Sequence, residues 1–407
     1  MKILWVKSEL LHPIDKGGRI RTYQVLRQLK KDHHLTYICL SPSTDPQESY
    51  EKATEYCHRL ITVPWSEPAK GSPAFFVDLA KNLADPLPYV QAKYRSELMR
   101  RHVARLAAAG EVDIVISDFL TPSQNVPADL PCPTVLFQHN VETVLWKRLY
   151  ENQESLPRRA YFYGQYVKMR RFEAQECRRY DAVATVSVND SEAIRRLHGV
   201  HEVFDVPTGV DTEYFSPGSA PRDPDELVFT GSMDWMPNED AMLFFAEKIL
   251  PLVERAHPGV KVTVVGRNPT EKVVALAREN KRFSLTGWVE DVRPYIDRGA
   301  VYIVPLRVGG GTRIKIYEAM AMARAVVSTT IGAEGLPVKD GEEILLADEP
   351  QAFADAVVRL LKDTEARARI ESAARKAVVE RFGWDKAAEA LLGACDHAIE
   401  KHRAKRR

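Results

Sequence analysis

Short apolar runs alternate with amphipathic stretches through the first half of the chain. Ile3–Val6, Leu35–Leu40, Ile114–Ser117 and Thr134–Gln138 read as strands, with a helix expected from about Gly18 to Lys31. Residues 181–187 and Val203–Val206 add two more strands. Such alternation predicts a parallel sheet covered by helices on both faces, with ligands met at the carboxyl ends of the strands. Lys16-Gly17-Gly18-Arg19 follow the first strand and His139-Asn140-Val141-Glu142 follow the strand ending at Gln138, so both groups are expected at that ligand edge.

Pro207-Thr208-Gly209-Val210-Asp211 and the Pro, Gly, Ser and Asp-rich residues up to 225 interrupt the pattern. It then restarts: Leu227–Thr230, a helix over Asn238–Arg255, Lys261–Val265, a helix over Thr270–Asn280, Phe283–Thr286, Val301–Pro305, a helix around Glu318, and Ala325–Ser328. The expectation is an α/β chain of two doubly wound, Rossmann-like domains in tandem. The first spans 1–207, a linker spans 208–225 and the second domain spans 226–384. A terminal helix, interrupted at Phe382-Gly383-Trp384, crosses back onto the first domain over 385–407. Its basic end, Lys401–Arg407, is expected to fray.

The 407 residues suit two cores better than one. With 57 basic against 56 acidic residues there is no global field to hold a polyanion, so nucleic acid is not expected as a partner. Five cysteines scattered without CxxC spacing argue for reduced thiols and a cytoplasmic protein. Met1–Lys7 reads as a first strand and not as a signal peptide, and no apolar run approaches the ~20 residues that span a bilayer. Arg158–Arg179 carries seven arginines or lysines among Tyr161, Phe162, Tyr163, Tyr166 and Phe172. It reads as a first-domain helix with aromatics on the core and arginines in water; the alternative is peripheral contact with an anionic membrane.

The densest chemistry lies in Pro305–Met322. Gly309, Gly310 and Gly311 are costly to order, so a run of three implies a backbone that passes close to something. Bare amides leading through Thr312 into a helix N-terminus, with Arg313 and Lys315 beside them, form a cradle for a phosphate. One turn on, Glu318 can accept two hydroxyl hydrogen bonds from a ribose. The alternative is a tight turn and an ordinary amphipathic helix.

Gly231 and Ser232 end another strand where a ligand could approach, and Asn238-Glu239-Asp240 read as a helix cap. Arg267 could reach a phosphate, or be a surface residue. Gly287-Trp288-Val289 offers backbone and apolar surface to a flat base, unless Trp288 is core. Gly18 could bring its amide to a bound group, and His139 could hydrogen-bond a sugar hydroxyl or assist proton transfer. His33-His34 lack a paired ligand set and Asp223-Pro224-Asp225 is a turn, so no metal site is expected. The absence of GxGxxG argues against hydride transfer.

Together Gly17-Gly18, His139, Pro207–Asp211, Gly287–Val289, the Gly309–Met322 block, Gly332–Gly335 and Phe382-Gly383-Trp384 resemble the family-4, group 1 retaining glycosyltransferases of GT-B fold. The resemblance implies two domains facing across a cleft, a nucleotide-sugar donor (by family frequency a UDP-sugar) on the second, and a glycan or lipid-linked acceptor on the first. No further cofactor is implied. Glu318 would hold the ribose, Gly287–Val289 the base, Gly309–Gly311 the sugar or diphosphate, His139 the sugar near its reacting carbon, and Gly18 the diphosphate. The chain departs from the family twice. Gly310 stands where a first glutamate is common, and the usual basic pair after the first strand of the second domain is missing, leaving Arg313, Lys315 and Arg267 as replacements. A nucleotide-sugar epimerase and an inactive nucleotide-sugar-binding protein are the competing readings.

Overall fold

The computed structural model describes residues 1–14, 17–151, 153, 155–219, 221–308 and 313–406. It divides into a first unit of 1–207 with 384–407 and a second of 208–383, each treated by itself.

The first unit is built on strands β1 (Lys2–Lys7), β2 (His34–Ser41), β3 (Arg59–Pro64), β4 (Ile114–Asp118), β5 (Thr134–Gln138), β6 (Ala182–Thr185) and β7 (Val203–Asp205). They form one parallel sheet in the order β3-β2-β1-β4-β5-β6-β7. Side chains alternate between its faces. Ile3 and Trp5 pack under the Gly17–Leu29 helix, while Leu4 and Val6 join Met99, Val103, Met169 and Phe172 on the other face. Burial on both faces is why the strands read as continuous apolar runs.

The second unit carries β8 (Glu226–Thr230), β9 (Lys261–Val265), β10 (Phe283–Leu285), β11 (Val301–Val304), β12 (Ala325–Ser328) and β13 (Leu345–Leu346), parallel in the order β10-β9-β8-β11-β12-β13. In both sheets the strand order reverses beside the first strand, at β1/β4 and at β8/β11. Ligands of open parallel sheets meet the carboxyl ends of the strands at such a reversal.

Trp384–Arg406 is a helix of the first unit. Trp384, Ala387, Leu391, Ala394, Cys395 and Ala398 enter the core face beneath Ile3 and Trp5 and pack on the Gly17–Leu29 helix. The basic end does not fray: the helix continues through Arg406, with Lys401 Nζ 3.1 Å from the Asp181 carbonyl and Lys405 Nζ 2.8 Å from Asp181 Oδ1. Residues 208–225, expected as a linker, group with the second unit. Val210 sits in its core with its amide 2.8 Å from the Phe382 carbonyl, and the Gly218 amide donates to Asp297. The helix expected over 238–255 begins at Met236 and is broken by a π-type turn over Phe245–Ile249, just before Pro251, whose ring cannot continue the regular ladder.

The ends of β8 and β9 are locked by a close backbone approach. A Cβ on Gly266 would lie 1.7 Å from the Gly231 carbonyl oxygen, while the Gly231 amide donates to Val265 and the Met233 amide to Arg267. No side chain fits there. Gly266→Ala is expected to cost the second unit about 3 kcal/mol and to speed hydrogen exchange of the β8 and β9 amides by roughly a hundredfold. Unchanged exchange would mean that the two strand ends part freely.

Candidate active site

At the ligand edge of the first unit, side chains from β1, from the Gly17–Leu29 helix and from the residue after β5 meet around one carboxylate. Asp118, fully buried at the end of β4, has Oδ2 within 2.7 Å of Lys7 Nζ, 2.6 Å of Thr22 Oγ1 and 3.0 Å of Trp5 Nε1. Its other oxygen lies 2.7 Å from His139 Nε2. Burial alone would raise the Asp118 pKa, but Lys7 and His139 overcome it and hold the carboxyl well below its usual range. Burial drives His139 down to about 4 against the pull of Asp118, so its imidazole is neutral near pH 7. The ionised Asp118 at 2.7 Å favours the tautomer with the proton on Nε2, although that close contact is not aligned as a hydrogen bond, and Nδ1 likewise has no hydrogen-bond partner among the described residues.

The His139 ring stacks on Phe119 at 3.9 Å between centroids. Phe119 holds a left-handed φ of 77°. Gly18 lies against this stack: a Cβ there would be 2.8 Å from the Phe119 ring and 3.9 Å from His139 Nδ1. The glycine pair expected in a loop forms the first turn of the Gly17–Leu29 helix, and Gly18 owes its identity to this contact. Lys16 lies outside the described residues.

In the second unit, Gly231 and Ser232 close β8 and meet three side chains from elsewhere in the sequence. Lys315 Nζ lies 3.0 Å from Asn238 Oδ1, 4.1 Å from the centre of the Phe229 ring, and 2.7 Å from where a Gly231 Cβ would stand. Arg267 Nε donates to Ser232 Oγ at 3.2 Å, and Asn238 Nδ2 donates to the Ser232 carbonyl at 2.9 Å. Lys315 and Arg267 thus bring two cations to this loop from later in the chain. Asn238 is no helix cap, for the helix starts two residues earlier, and its amide instead ties the loop to Lys315.

Lys315 and Glu318 share the Ile314–Ala321 helix, one turn apart. Burial pushes Lys315 down to about 7, with Glu318 pulling it up, and raises Glu318 to about 7, with Lys315 pulling it down. Arg313 caps the same helix; burial lowers its pKa and Glu334, in the loop after β12, opposes this. Gly309, Gly310, Gly311 and Thr312 lie outside the described residues. Trp288 is no core residue, being 72% exposed after the left-handed Gly287, whereas Val289 is partly buried against the core.

The structure therefore gathers Gly18 and His139 in one unit, and Gly231, Ser232, Arg267 and Lys315 in the other. Sequence reasoning missed Lys7, Thr22, Asp118 and Phe119. The available signal was a charged residue closing an otherwise apolar strand, twice, in Lys7 and Asp118.

Comparison with known proteins bears on both units. Residues 16–214 match the family model for Glycosyltransferase Family 4, and residues 224–363 match that for glycosyl transferases group 1. An uncharacterized 44.6 kDa protein in the cps region of Klebsiella pneumoniae is 22% identical over 89% of this chain and 91% of its own length. The phosphatidyl-myo-inositol mannosyltransferase of Mycobacterium tuberculosis is 28% identical, over 47% of this chain and 53% of its own length. Among solved structures, Anabaena Alr3699/HepE in complex with UDP-glucose superposes with a TM-score of 0.61, covering 97% of this chain and 98% of that one at 14% identity. Two matched models, two parallel Rossmann-like sheets and a terminal helix returned to the first of them lead to one assignment: the chain belongs to the group 1, family 4 retaining glycosyltransferases of GT-B fold.

Proposed function

We propose that this glycosyltransferase moves a hexosyl group from a UDP-sugar to a hydroxyl of a glycan or lipid-linked acceptor in surface polysaccharide or glycolipid assembly. The observation that carries the donor reading is the convergence of Lys315, Arg267 and Asn238 on the Gly231–Ser232 loop, with Glu318 one turn beyond Lys315. This is a set of cations and amides for a diphosphate with a carboxylate at hand for a ribose. The UDP-glucose held by the Anabaena protein supports a uridine donor. The cps-region relative and the mannosyltransferase of phosphatidyl-myo-inositol support the acceptor class.

In the proposed reaction the bond from the anomeric carbon to the diphosphate breaks, and the acceptor oxygen bonds to that carbon on the same face. The departing phosphate oxygen takes the acceptor proton. No protein nucleophile is required, so catalysis rests on holding the leaving group and positioning the sugar. Lys315, Arg267 and Arg313 supply the charge. His139, neutral and held by Asp118, offers its Nδ1 lone pair to a sugar hydroxyl.

Four outcomes are expected. In thermal unfolding with UDP, GDP, ADP and their sugar conjugates, with and without EDTA, UDP compounds stabilise the protein in both conditions. A shift with GDP or ADP alone would remove the uridine assignment, and conversion of a UDP-sugar to its epimer without acceptor would replace transfer by epimerisation. Lys315→Met weakens UDP binding by roughly ten- to a hundredfold, the loss of one charged hydrogen bond.

Because Lys315 loses its proton as pH rises through about 7, and a bound diphosphate restores it, UDP binding at pH 8 takes up a proton. Calorimetry in buffers of different ionisation enthalpy measures that uptake, and in Lys315→Met it should vanish. Finally, Gly18→Ala drives a methyl into Phe119 and tilts His139. Turnover, measured against the wild-type protein, is expected to fall by as much as about a hundredfold.

A further inference from the structure

The Leu156–Arg179 helix turns a long face to solvent that candidate transfer chemistry does not use. Leu156, Arg159, Tyr163, Arg170, Ala174 and Arg178 follow one another at spacings of three, four and seven, which lines them up on one stripe about 33 Å long. All but the partly buried Ala174 are exposed, Leu156 at 77% and Tyr163 at 53%. The stripe carries no acid. Both glutamates of the helix turn inward: Glu173 accepts the amides of Glu142 and Thr143 and meets His198, and Glu176 holds Arg179.

The lower half of the stripe opens into a basin of about 800 Å³ lined by Tyr166, Arg170, Arg171, Arg178, Arg179 and, from the Val188–His198 helix, Arg196. Among the described residues no carboxylate lines it. Among the described residues Arg170, Arg171 and Arg196 have no ion pair, in a chain whose net charge is only +1. Arg178 and Arg196 stand near the ends of helices that lead into β6 and β7, so the basin lies by the amino ends of these strands, opposite the edge that holds Lys7 and His139. It is therefore separate from the candidate active site.

We propose that this stripe and basin form a docking surface for an anionic phospholipid membrane, with a headgroup phosphate seated among Arg170, Arg171 and Arg196. The apolar component selects this partner over a free phosphate. A soluble anion would need the basin alone, whereas Leu156 and Tyr163, alternating with arginines along the same stripe, suit an interface where side chains meet acyl chains and headgroups together. No helix among the described residues is long and apolar enough to cross a membrane, so the contact lies on the surface. It is independent of which sugar or nucleotide the protein uses.

Sedimentation of the full chain with phosphatidylcholine vesicles, with and without phosphatidylglycerol, tests this. The protein is expected to pellet only with phosphatidylglycerol and to be released by about 1 M salt, where the Debye length falls to ~3 Å. Each arginine near an anionic surface is worth roughly fivefold, so the combined Arg170→Gln, Arg171→Gln and Arg196→Gln variant should bind about a hundredfold more weakly. The corresponding triple lysine variant should retain most of the binding, separating loss of charge from loss of fold, and Leu156→Ser with Tyr163→Ser should weaken it. Failure to pellet with phosphatidylglycerol, or equal pelleting of the triple glutamine variant, overturns the proposal. So does displacement by millimolar inorganic phosphate at an ionic strength matched with chloride, which would make the basin a site for a free anion.

Discussion

In a parallel sheet every strand runs out on the same edge, and the residue that closes one strand is forced into the company of those that close its neighbours. With both faces of the sheet buried, a polar residue at that edge cannot turn sideways into water and must find a partner among the other strand ends. The first unit meets this demand with Lys7 from β1, Asp118 from β4 and His139 just after β5, joined by Thr22 from the intervening helix. The cluster adds little net stability, since desolvation offsets most of the Coulomb attraction. What it sets is position: a neutral imidazole clamped by a carboxylate below and stacked on Phe119.

The second unit answers the same demand differently. Thr230 at the end of β8 hydrogen-bonds Tyr302 of β11, and the strand ends of β8 and β9 press backbone to backbone at Gly266. Its cations arrive from outside the sheet, and Lys315 meets an amide oxygen at Asn238 and an aromatic face at Phe229 in place of a carboxylate. Lys315 and Glu318 are each poised near neutrality because neither is fully compensated. An anionic ligand placed at this edge would supply the missing charge to a cation that the fold itself leaves under-satisfied.

Much of the fold was legible because the signal was local. Lys261–Val265, Thr134–Gln138 and Ala325–Ser328 are apolar, β-branched runs bounded by polar residues, and the observed strands coincide with the expected ones. Arg59–Pro64 carries no such signal: a charged first residue and a terminal proline mask a strand that lies at the sheet edge, where proline is tolerated. The π-type turn depends on how Pro251 is accommodated and has no periodic signature. The charged strand ends were visible in the sequence but their partners were not: Lys7 and Asp118 are 111 positions apart, and Lys315 and Asn238 are 77 apart. Those pairings follow from strand order, which no local pattern encodes. The acid-free stripe of Leu156–Arg179 was likewise hidden until burial showed which of its charges face inward.

The path of the chain also orders events in time. The first sheet relies on Trp384, Leu391 and Ala394 to cover Ile3 and Trp5, yet those residues are synthesised only after the whole of the second unit. During translation the amino-terminal sheet must wait with an apolar face uncovered, while the 208–383 segment can complete its own core first. The domain begun first is the one finished last, and its need for protection from aggregation on the ribosome is written into its topology.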